Sequence, residues 1–360
     1  MFLTQLNLYH FKNHTETSLH FGRGLHLITG PNGCGKTNLL DAIWLCAFTK
    51  SFLNVTDAQL VQHGQSYYRV EGYFEQNSTT DEVVVTYGEN NRKQVSVNGS
   101  KVERFADHLG RYPLVYVSPY DTFLLHDNSD ERRRFIDMVC CSVSKDYFMH
   151  WKNYERVLQQ RNALMKNASA GEAIPNDLLE HYDSLLHEAG TFVYAYRAQA
   201  IDKWNALFQT YAQDLAGTNE RISLSYESPL HEKPLNVWLT ETRRKDEILG
   251  RTSKGIHRDD LVFELNFDAE HSGAAKRFAS QGQQKTILLA LKFSVFRFLE
   301  HELARQPVLL LDDVFDKLDS KRHQNLLRIL QSGNFEQVLI ADTNADKVKG
   351  TKTDVSVTQL

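Results

Sequence analysis

The stretch that most constrains this chain is Gly30-Pro31-Asn32-Gly33-Cys34-Gly35-Lys36-Thr37. It satisfies the phosphate-loop pattern G-x-x-x-x-G-K-[ST] at every specified position. Its flanks fit as well. Leu25, Leu27 and Ile28 read as a short buried strand, and Leu39, Leu40, Ile43, Trp44 and Ala47 recur at helical spacing. Glycines let such a backbone curl so that successive N–H groups face one phosphate chain, and the following helix adds its N-terminal partial positive charge. In this pattern residues 30 to 37 cradle the phosphates, Lys36 reaches the β- and γ-phosphates, and the Thr37 hydroxyl holds Mg²⁺. A nucleoside triphosphate with Mg²⁺ is the expected ligand.

A second stretch supplies what a phosphate loop lacks. Pro307-Val308-Leu309-Leu310-Leu311-Asp312-Asp313 is an apolar strand ending in two carboxylates. In phosphate-loop enzymes such a strand lies beside the loop's own strand, so Asp312 is expected on Mg²⁺ and Asp313 is placed to orient or deprotonate the attacking water. Upstream, Ser280-Gln281-Gly282-Gln283-Gln284-Lys285 is a small polar turn opening an apolar helix. Ser280, Gly282 and Gln283 would present a hydroxyl and backbone N–H groups as a second anion site. Alone this is an N-cap. Between the other two motifs it resembles the signature of ATP-binding-cassette ATPases. In that class the signature of one subunit closes over the γ-phosphate bound to the other, which implies an ATP-driven homodimer with Ser280 and Gly282 acting in trans.

Composition limits the alternatives. The chain has 360 residues, 41% hydrophobic and 24% charged, so an ordinary globular core is expected. A formal net charge of −4 gives no global basic footprint, and nucleic-acid binding would have to rest on local patches. Cys34, Cys46, Cys140 and Cys141 form no C-x-x-C pair, which argues for a reducing cytosol with neither disulfides nor a zinc site. The first residues alternate like a strand with no signal-peptide core, and no apolar run approaches the ~18 residues of a membrane span. A cytoplasmic protein away from membranes is therefore expected.

Strand patterns appear at Leu3 to Leu8, Thr17 to Phe21, Tyr67 to Phe74, Glu82 to Tyr87, Lys93 to Val97 and Leu114 to Val117, with turns at residues 88–91 and 98–99. The character turns helical at Asp130, a reasonable N-cap, and continues through Asp146 to Lys166. After a small-residue linker, Ala168 to Pro175, an apolar stripe runs from Leu178 to Tyr211 at near-heptad spacing. It reads as one arm of an antiparallel helical hairpin rather than a dimerising coiled coil, given Gly190 and the many aromatics. Strands return at Leu261 to Phe267 and Val338 to Ile340. The expected architecture is α/β: a discontinuous ATPase head at residues 1–120 and 250–360, with mixed sheet and antiparallel strands, interrupted by a mostly helical lobe at 121–249.

Several further segments occur in a telling order. Leu6-Asn7-Leu8-Tyr9-His10-Phe11-Lys12-Asn13, the phosphate loop, Ser118-Pro119-Tyr120-Asp121, Asp130-Glu131-Arg132-Arg133-Arg134-Phe135-Ile136-Asp137, Gln160-Arg161-Asn162-Ala163, Gly255-Ile256-His257-Arg258-Asp259-Asp260, the Ser280 turn and Leu311-Asp312-Asp313 together resemble the bacterial RecF family over essentially the whole chain. The resemblance implies a weak ATP hydrolase that binds DNA where single and double strands meet. It further implies a role in replication and recombinational gap repair, loading recombinase with RecO and RecR. Tyr120, Ile256 and Leu53 depart from the family pattern. Asp319 matches the family's dimer-crossing loop, and Asp342 or Thr343 stands where many cassette ATPases carry a γ-phosphate-sensing histidine.

The basic clusters are Arg132 to Arg134, then Lys152, Arg156, Arg161 and Lys166, and Arg243 to Lys245 with Arg251 and Lys254. By themselves they would be solvated faces; with the resemblance they become an expected DNA-backbone surface with little base specificity. His257 with Asp259 and Asp260 reads as structural hydrogen bonding rather than a metal site. The alternatives are a chromosome-organising SMC or Rad50-like head and a transporter ATPase. The first needs hundreds of residues of coiled coil, and an arm of about 40 residues at ~1.5 Å each does not supply it.

Overall fold

A computed structural model describes residues 1–88, 92–126, 129–217, 221–266, 272–348 and 355–360. The expected turn residues 89–91 and Phe267 lie outside the described residues. In chain order the strands are β1 (Phe2–Phe11), β2 (His14–His20), β3 (Gly24–Thr29), β4 (Tyr68–Gln76), β5 (Thr79–Tyr87), β6 (Lys93–Val97), β7 (Ser100–Lys101), β8 (Leu114–Val117), β9 (Arg221–Glu227), β10 (Asp260–Asn266), β11 (Ser272–Ala274), β12 (Val308–Asp312), β13 (Gln337–Asp342) and β14 (Val355–Gln359). The longer helices are α1 (Lys36–Phe48), α2 (Ser129–Val143), α3 (Lys145–Ser169), α4 (Asn176–Ala216), α5 (Leu235–Leu249), α6 (Gln281–Leu303) and α7 (Ser320–Leu330). Among the described residues no helix is long and apolar enough to cross a membrane.

The chain forms two compact units, residues 1–122, 210–219 and 280–360 in one and 123–209 with 220–279 in the other. The first unit is built on two sheets. The inner one, in the order β14-β3-β13-β12-β8, is parallel throughout. Its central strands are apolar on both faces: Leu309, Leu310, Leu311, Val338, Leu339 and Ile340 are fully buried, as a sheet covered on both sides requires. Leu39, Leu40 and Ile43 of α1 and Ile287, Leu289, Leu291 and Phe293 of α6 are also fully buried. Each such side chain contributes about 1.5–3 kcal/mol relative to exposure. The second sheet is antiparallel, β2-β1-β4-β5-β6-β7. In β1 the buried leucines at 3, 6 and 8 break strict alternation, and a register shift between Leu3 and Gln5 explains this. A bulge there lets residues of opposite parity face the same core.

The second unit is mostly helical. Ser144 caps α3 by accepting from the Tyr147 N–H at 3.0 Å. Helices α3 and α4 run antiparallel: Tyr147 meets Tyr196, His150 stacks on Phe192 with ring centroids 4.1 Å apart, and Arg161 meets Asp183. The helical hairpin is therefore as expected. Gly190 has a packing reason, since a Cβ there would lie 3.0 Å from the Tyr154 ring. A three-stranded antiparallel sheet, β11-β10-β9, completes the unit.

Several expectations change. The acidic strand β12 does not lie beside the phosphate-loop strand β3, because β13 pairs with both and stands between them. Asp130 is not an N-cap, because α2 already begins at Ser129 and Asp130 sits in its first turn. The linker starts after Ser169 rather than at Ala168. Strands β9 and β14 carry no counterpart in the sequence reading. Residues 250–279, assigned above to the ATPase head, group with the helical unit. Pairing of β10 with β9 along its whole length holds them there.

Candidate functional site: a phosphate loop at the ends of parallel strands

Ligand sites in parallel α/β sheets form beyond the carboxyl ends of the strands. Here those ends carry the phosphate loop after β3, Ser118 after β8, Asp312 on β12 and Asp342 on β13. Register sets their level, with Asp312 opposite Ala341 and Asp342 opposite Thr29. The apolar strand sequences thus deliver the polar groups to one edge.

The loop itself has the backbone its glycines permit. Gly33 has φ +82° and Gly35 φ +112°, both in the region that side-chain-bearing residues rarely adopt. Gly35 is also the N-cap of α1. A Cβ at Gly35 would lie 2.5 Å from the His14 ring and 2.7 Å from the Asn13 amide. Those two residues brace the loop from outside: Asn13 Nδ2 donates to the Cys34 carbonyl at 2.9 Å, and His14 Nε2 lies 3.2 Å from the Gly35 carbonyl. Burial lowers the His14 pKa, with the hydrogen bond to the Gly35 carbonyl acting in the opposite direction. Lys36 is buried and donates to the carbonyls of Gly30 and Pro31 at 2.9 and 3.0 Å, which folds its ammonium over the loop.

Across from the loop, Thr37 Oγ1 donates to Asp312 Oδ2 at 2.8 Å, joining residues far apart in sequence. Tyr116 on β8 donates its hydroxyl to the same oxygen at 3.0 Å. The Tyr116 ring is held by Phe52, with centroids 4.1 Å apart, and Trp44, 6.2 Å away. Asp312 Oδ1 is buried and makes no hydrogen bond among the described residues. Burial raises the Asp312 pKa, with the Thr37 and Tyr116 hydroxyls acting in the opposite direction. A buried carboxylate oxygen without a donor, next to a threonine hydroxyl, suits a hard divalent cation such as Mg²⁺.

Asp313 lies in a turn of unusual backbone. Its φ is +46°, a conformation that costs a non-glycine residue on the order of 1–3 kcal/mol. Its N–H donates to Ala341 O at 3.0 Å and its carbonyl accepts from Lys285 Nζ at 2.8 Å. Burial, then Asp342 and Asp316, raise its pKa. Asp342 is fully buried and pairs with Lys347 at 3.0 Å, and Lys347 also reaches Asp316. Burial lowers the Lys285 pKa to about 8.

Ser280 and Gln283 form a capping box at the start of α6: Gln283 N–H donates to Ser280 Oγ at 3.3 Å, and Ser280 N–H donates to Gln283 Oε1 at 2.9 Å. Among the described residues, Ser280, Gly282 and Gln283 make no hydrogen bond to the phosphate loop. Asp319 caps α7, accepting from the Arg322 N–H at 2.9 Å. Sequence reasoning missed Tyr116, His14 and Lys285. Asn13, Tyr116 and Lys285 each lay inside a segment singled out above, but only the fold shows what they touch.

The expected DNA-facing arginines divide. Arg132 is buried on Asp260, Arg133 donates to the Asp259 carbonyl at 2.6 Å, and Arg161 is fully buried between Asp183 and Asp246. These are not backbone-tracking groups. They are internal ion pairs and hydrogen bonds of the helical unit, beside a separate cluster in which Arg197 pairs with Asp137 at 2.7 Å and Asp259 at 2.6 Å. Tyr154 donates to His257 Nδ1 at 2.9 Å, and His257 Nε2 lies 3.1 Å from Thr252 O, so the structural reading of that segment holds. Arg134, Lys152, Arg156, Lys166, Arg244, Lys245 and Arg251 remain exposed.

The parallel sheet, the phosphate loop against Asp312 and the helical lobe together define an ATPase head of the ABC/SMC type. A solved SMC head, bound to the C-winged helix domain of ScpA, shares that fold, with TM-score 0.59, 16% identity and 97% of this chain covered against 91% of that chain. The description "RecF/RecN/SMC N terminal domain" matches residues 2–360. The DNA replication and repair protein RecF of Flavobacterium johnsoniae is 36% identical over 349 residues, 97% of this chain and 96% of the relative. The solved structure of the recombination mediator protein RecF-ATP in the RecFOR pathway superposes with TM-score 0.84 at 30% identity, covering 96% of this chain and 93% of that one. The chain belongs to the RecF family.

Proposed function

We propose that this protein is an ATP-dependent DNA-binding protein of replication and recombinational gap repair, acting in the cytoplasm as an ATP-driven homodimer with RecO and RecR. The observation that carries the reading is the Thr37–Asp312 contact at 2.8 Å, which assembles both halves of a nucleotide site in a chain related to RecF proteins along its length. Four free cysteines accord with a reducing compartment.

In this reading the backbone from Gly30 through Thr37 (Pro31, Asn32, Gly33, Cys34 and Gly35 included) cradles the phosphates of ATP, and Lys36 turns its ammonium to the β- and γ-phosphates. Thr37 and Asp312 hold Mg²⁺, which would neutralise charge developing on the phosphates. Asp313 takes the proton of the attacking water. Ser280, Gly282 and Gln283 close over the γ-phosphate bound to the second subunit. The exposed bases of the helical unit track single-stranded and gapped duplex DNA through its phosphates.

The test is light scattering together with binding to gapped DNA, each with and without ATP. A dimer and a DNA complex that both require ATP are expected. A constitutive monomer with no affinity for gapped DNA overturns the reading.

A further inference from the structure

We infer that Lys285 is a positioning residue for Asp313: its ammonium bridges the Asp313 and Asp316 carbonyls and holds the turn after β12 in its left-handed form. The inference rests on the reading of Asp313 as the base for ATP hydrolysis.

The Asp313 peptide is held from two sides. Its N–H is fixed to Ala341 O on β13 at 3.0 Å. Lys285 Nζ donates to Asp313 O at 2.8 Å and to Asp316 O at 3.1 Å. The turn these bonds brace begins at a non-glycine residue of positive φ, Asp313 at +46°, and a second, Lys317 at +63°, follows directly after Asp316. A side chain set on such backbone keeps its direction only while its peptide groups are restrained. Loss of the Lys285 bridge frees the Asp313 carbonyl, lets φ relax, and swings the carboxylate away from the strand ends.

Lys285 also lies a little over one helical turn from Ser280, on the same rigid helix. The residues assigned above to a γ-phosphate bound by the other subunit thus share a helix with the group that aims the base. Displacement of the α6 N-terminus is felt at Asp313 through a single ammonium. Ligand closure at Ser280, Gly282 and Gln283 and alignment of the water-activating carboxylate become one event within a chain.

The experiment compares wild type with Lys285→Met and Lys285→Arg, each in the native and the Asp313→Asn background. ATP affinity is read by equilibrium binding and hydrolysis by single-turnover kinetics. Lys285→Met should lower the hydrolysis rate about 10- to 100-fold, the cost of misplacing a reacting group by about 1 Å, with ATP affinity changed less than about threefold. Lys285→Arg should recover most of the rate, because a guanidinium can donate to both carbonyls. In the Asp313→Asn background Lys285→Met should cost nothing further. Full activity of Lys285→Met overturns the inference, as do losses that add in the double variant. A purely structural loss would lower ATP affinity and persist in both backgrounds, which also overturns it. Failure of wild type to bind or hydrolyse ATP strikes the broader functional reading instead.

Discussion

Lys36 supplies the ammonium folded over the phosphate loop, bonded to Gly30 and Pro31 carbonyls. Charge-assisted hydrogen bonds of this kind contribute about 1.5–3 kcal/mol each. Lys36→Ala should therefore weaken ATP binding roughly 10- to 100-fold and abolish ATP-dependent dimerisation; equal dimer formation by wild type and variant at limiting ATP would refute the role. A second residue-scale prediction concerns pH. Burial, reinforced by Arg258, Arg133 and Arg161, lowers the His257 pKa to about 4. Its neutral ring accepts from Tyr154 and donates to Thr252 O. Because the folded-state pKa lies below the unfolded value, the unfolded chain takes up the proton first as pH falls. Stability is thus lost between about pH 6.5 and 4, by roughly 2–3 kcal/mol from this group. His14, His26 and His108 shift in the same direction. The specific check is a difference curve: denaturant unfolding of His257→Gln should be less sensitive to pH across that window than wild type.

At the scale of elements, α2, α3, α4 and the segment before β10 are bound by buried ion pairs rather than apolar contact alone. Arg197→Ala leaves Asp137 and Asp259 as buried, unpaired carboxylates, and removing one partner of such a network costs on the order of 3–5 kcal/mol. A large fall in melting temperature is expected. Arg134→Ala, at an exposed side chain paired with neighbouring Glu131, should change stability by less than about 1 kcal/mol. The salt dependence of DNA binding should follow the exposed bases. Neutralising Arg134, Lys152, Arg156 and Lys166 should flatten the slope of log K against log salt, whereas Arg132→Ala should act through stability. This division marks the limit of what the sequence could reveal. The phosphate loop, Asp312 and the Ser280 turn are legible because each is local, a few residues whose spacing dictates backbone geometry. The fates of Arg132, Arg133 and Arg161 are not, since a run of arginines looks the same whether it faces solvent or partners that lie far along the chain. Strand β9 was legible but missed: Ile222, Leu224 and Tyr226 alternate with Ser223, Ser225 and Glu227, the period-2 pattern of a half-buried strand.

On the scale of the whole molecule, the consequential feature is how slowly the site is expected to turn over. Many cassette ATPases carry glutamate where this chain has Asp313, one methylene shorter, and a carboxylate about 1 Å too far from water can cost on the order of 100-fold in rate. In the proposed function, slow hydrolysis would make ATP a timer for residence on DNA. Asp313→Asn should keep ATP binding and dimerisation yet dissociate from labelled gapped DNA far more slowly than wild type in excess ATP. Equal release would separate turnover from dissociation. The strand order of the parallel sheet has one more consequence, in the making of the protein rather than its use. Strand β3 ends at Thr29, but its two neighbours are β13 and β14, which start at Gln337 and Val355. At a synthesis rate of about 5–20 residues per second, β3 leaves the ribosome on the order of 15–60 s before either edge can be paired. Strands β4, β5 and β6, joined in sequence by adjacent hairpins, face no such delay. The nascent chain therefore carries an apolar strand with both edges open for most of its synthesis, a hazard for aggregation. A chain interrupted anywhere between Thr37 and Gln337 has its phosphate loop in sequence but neither neighbour for the strand that carries it.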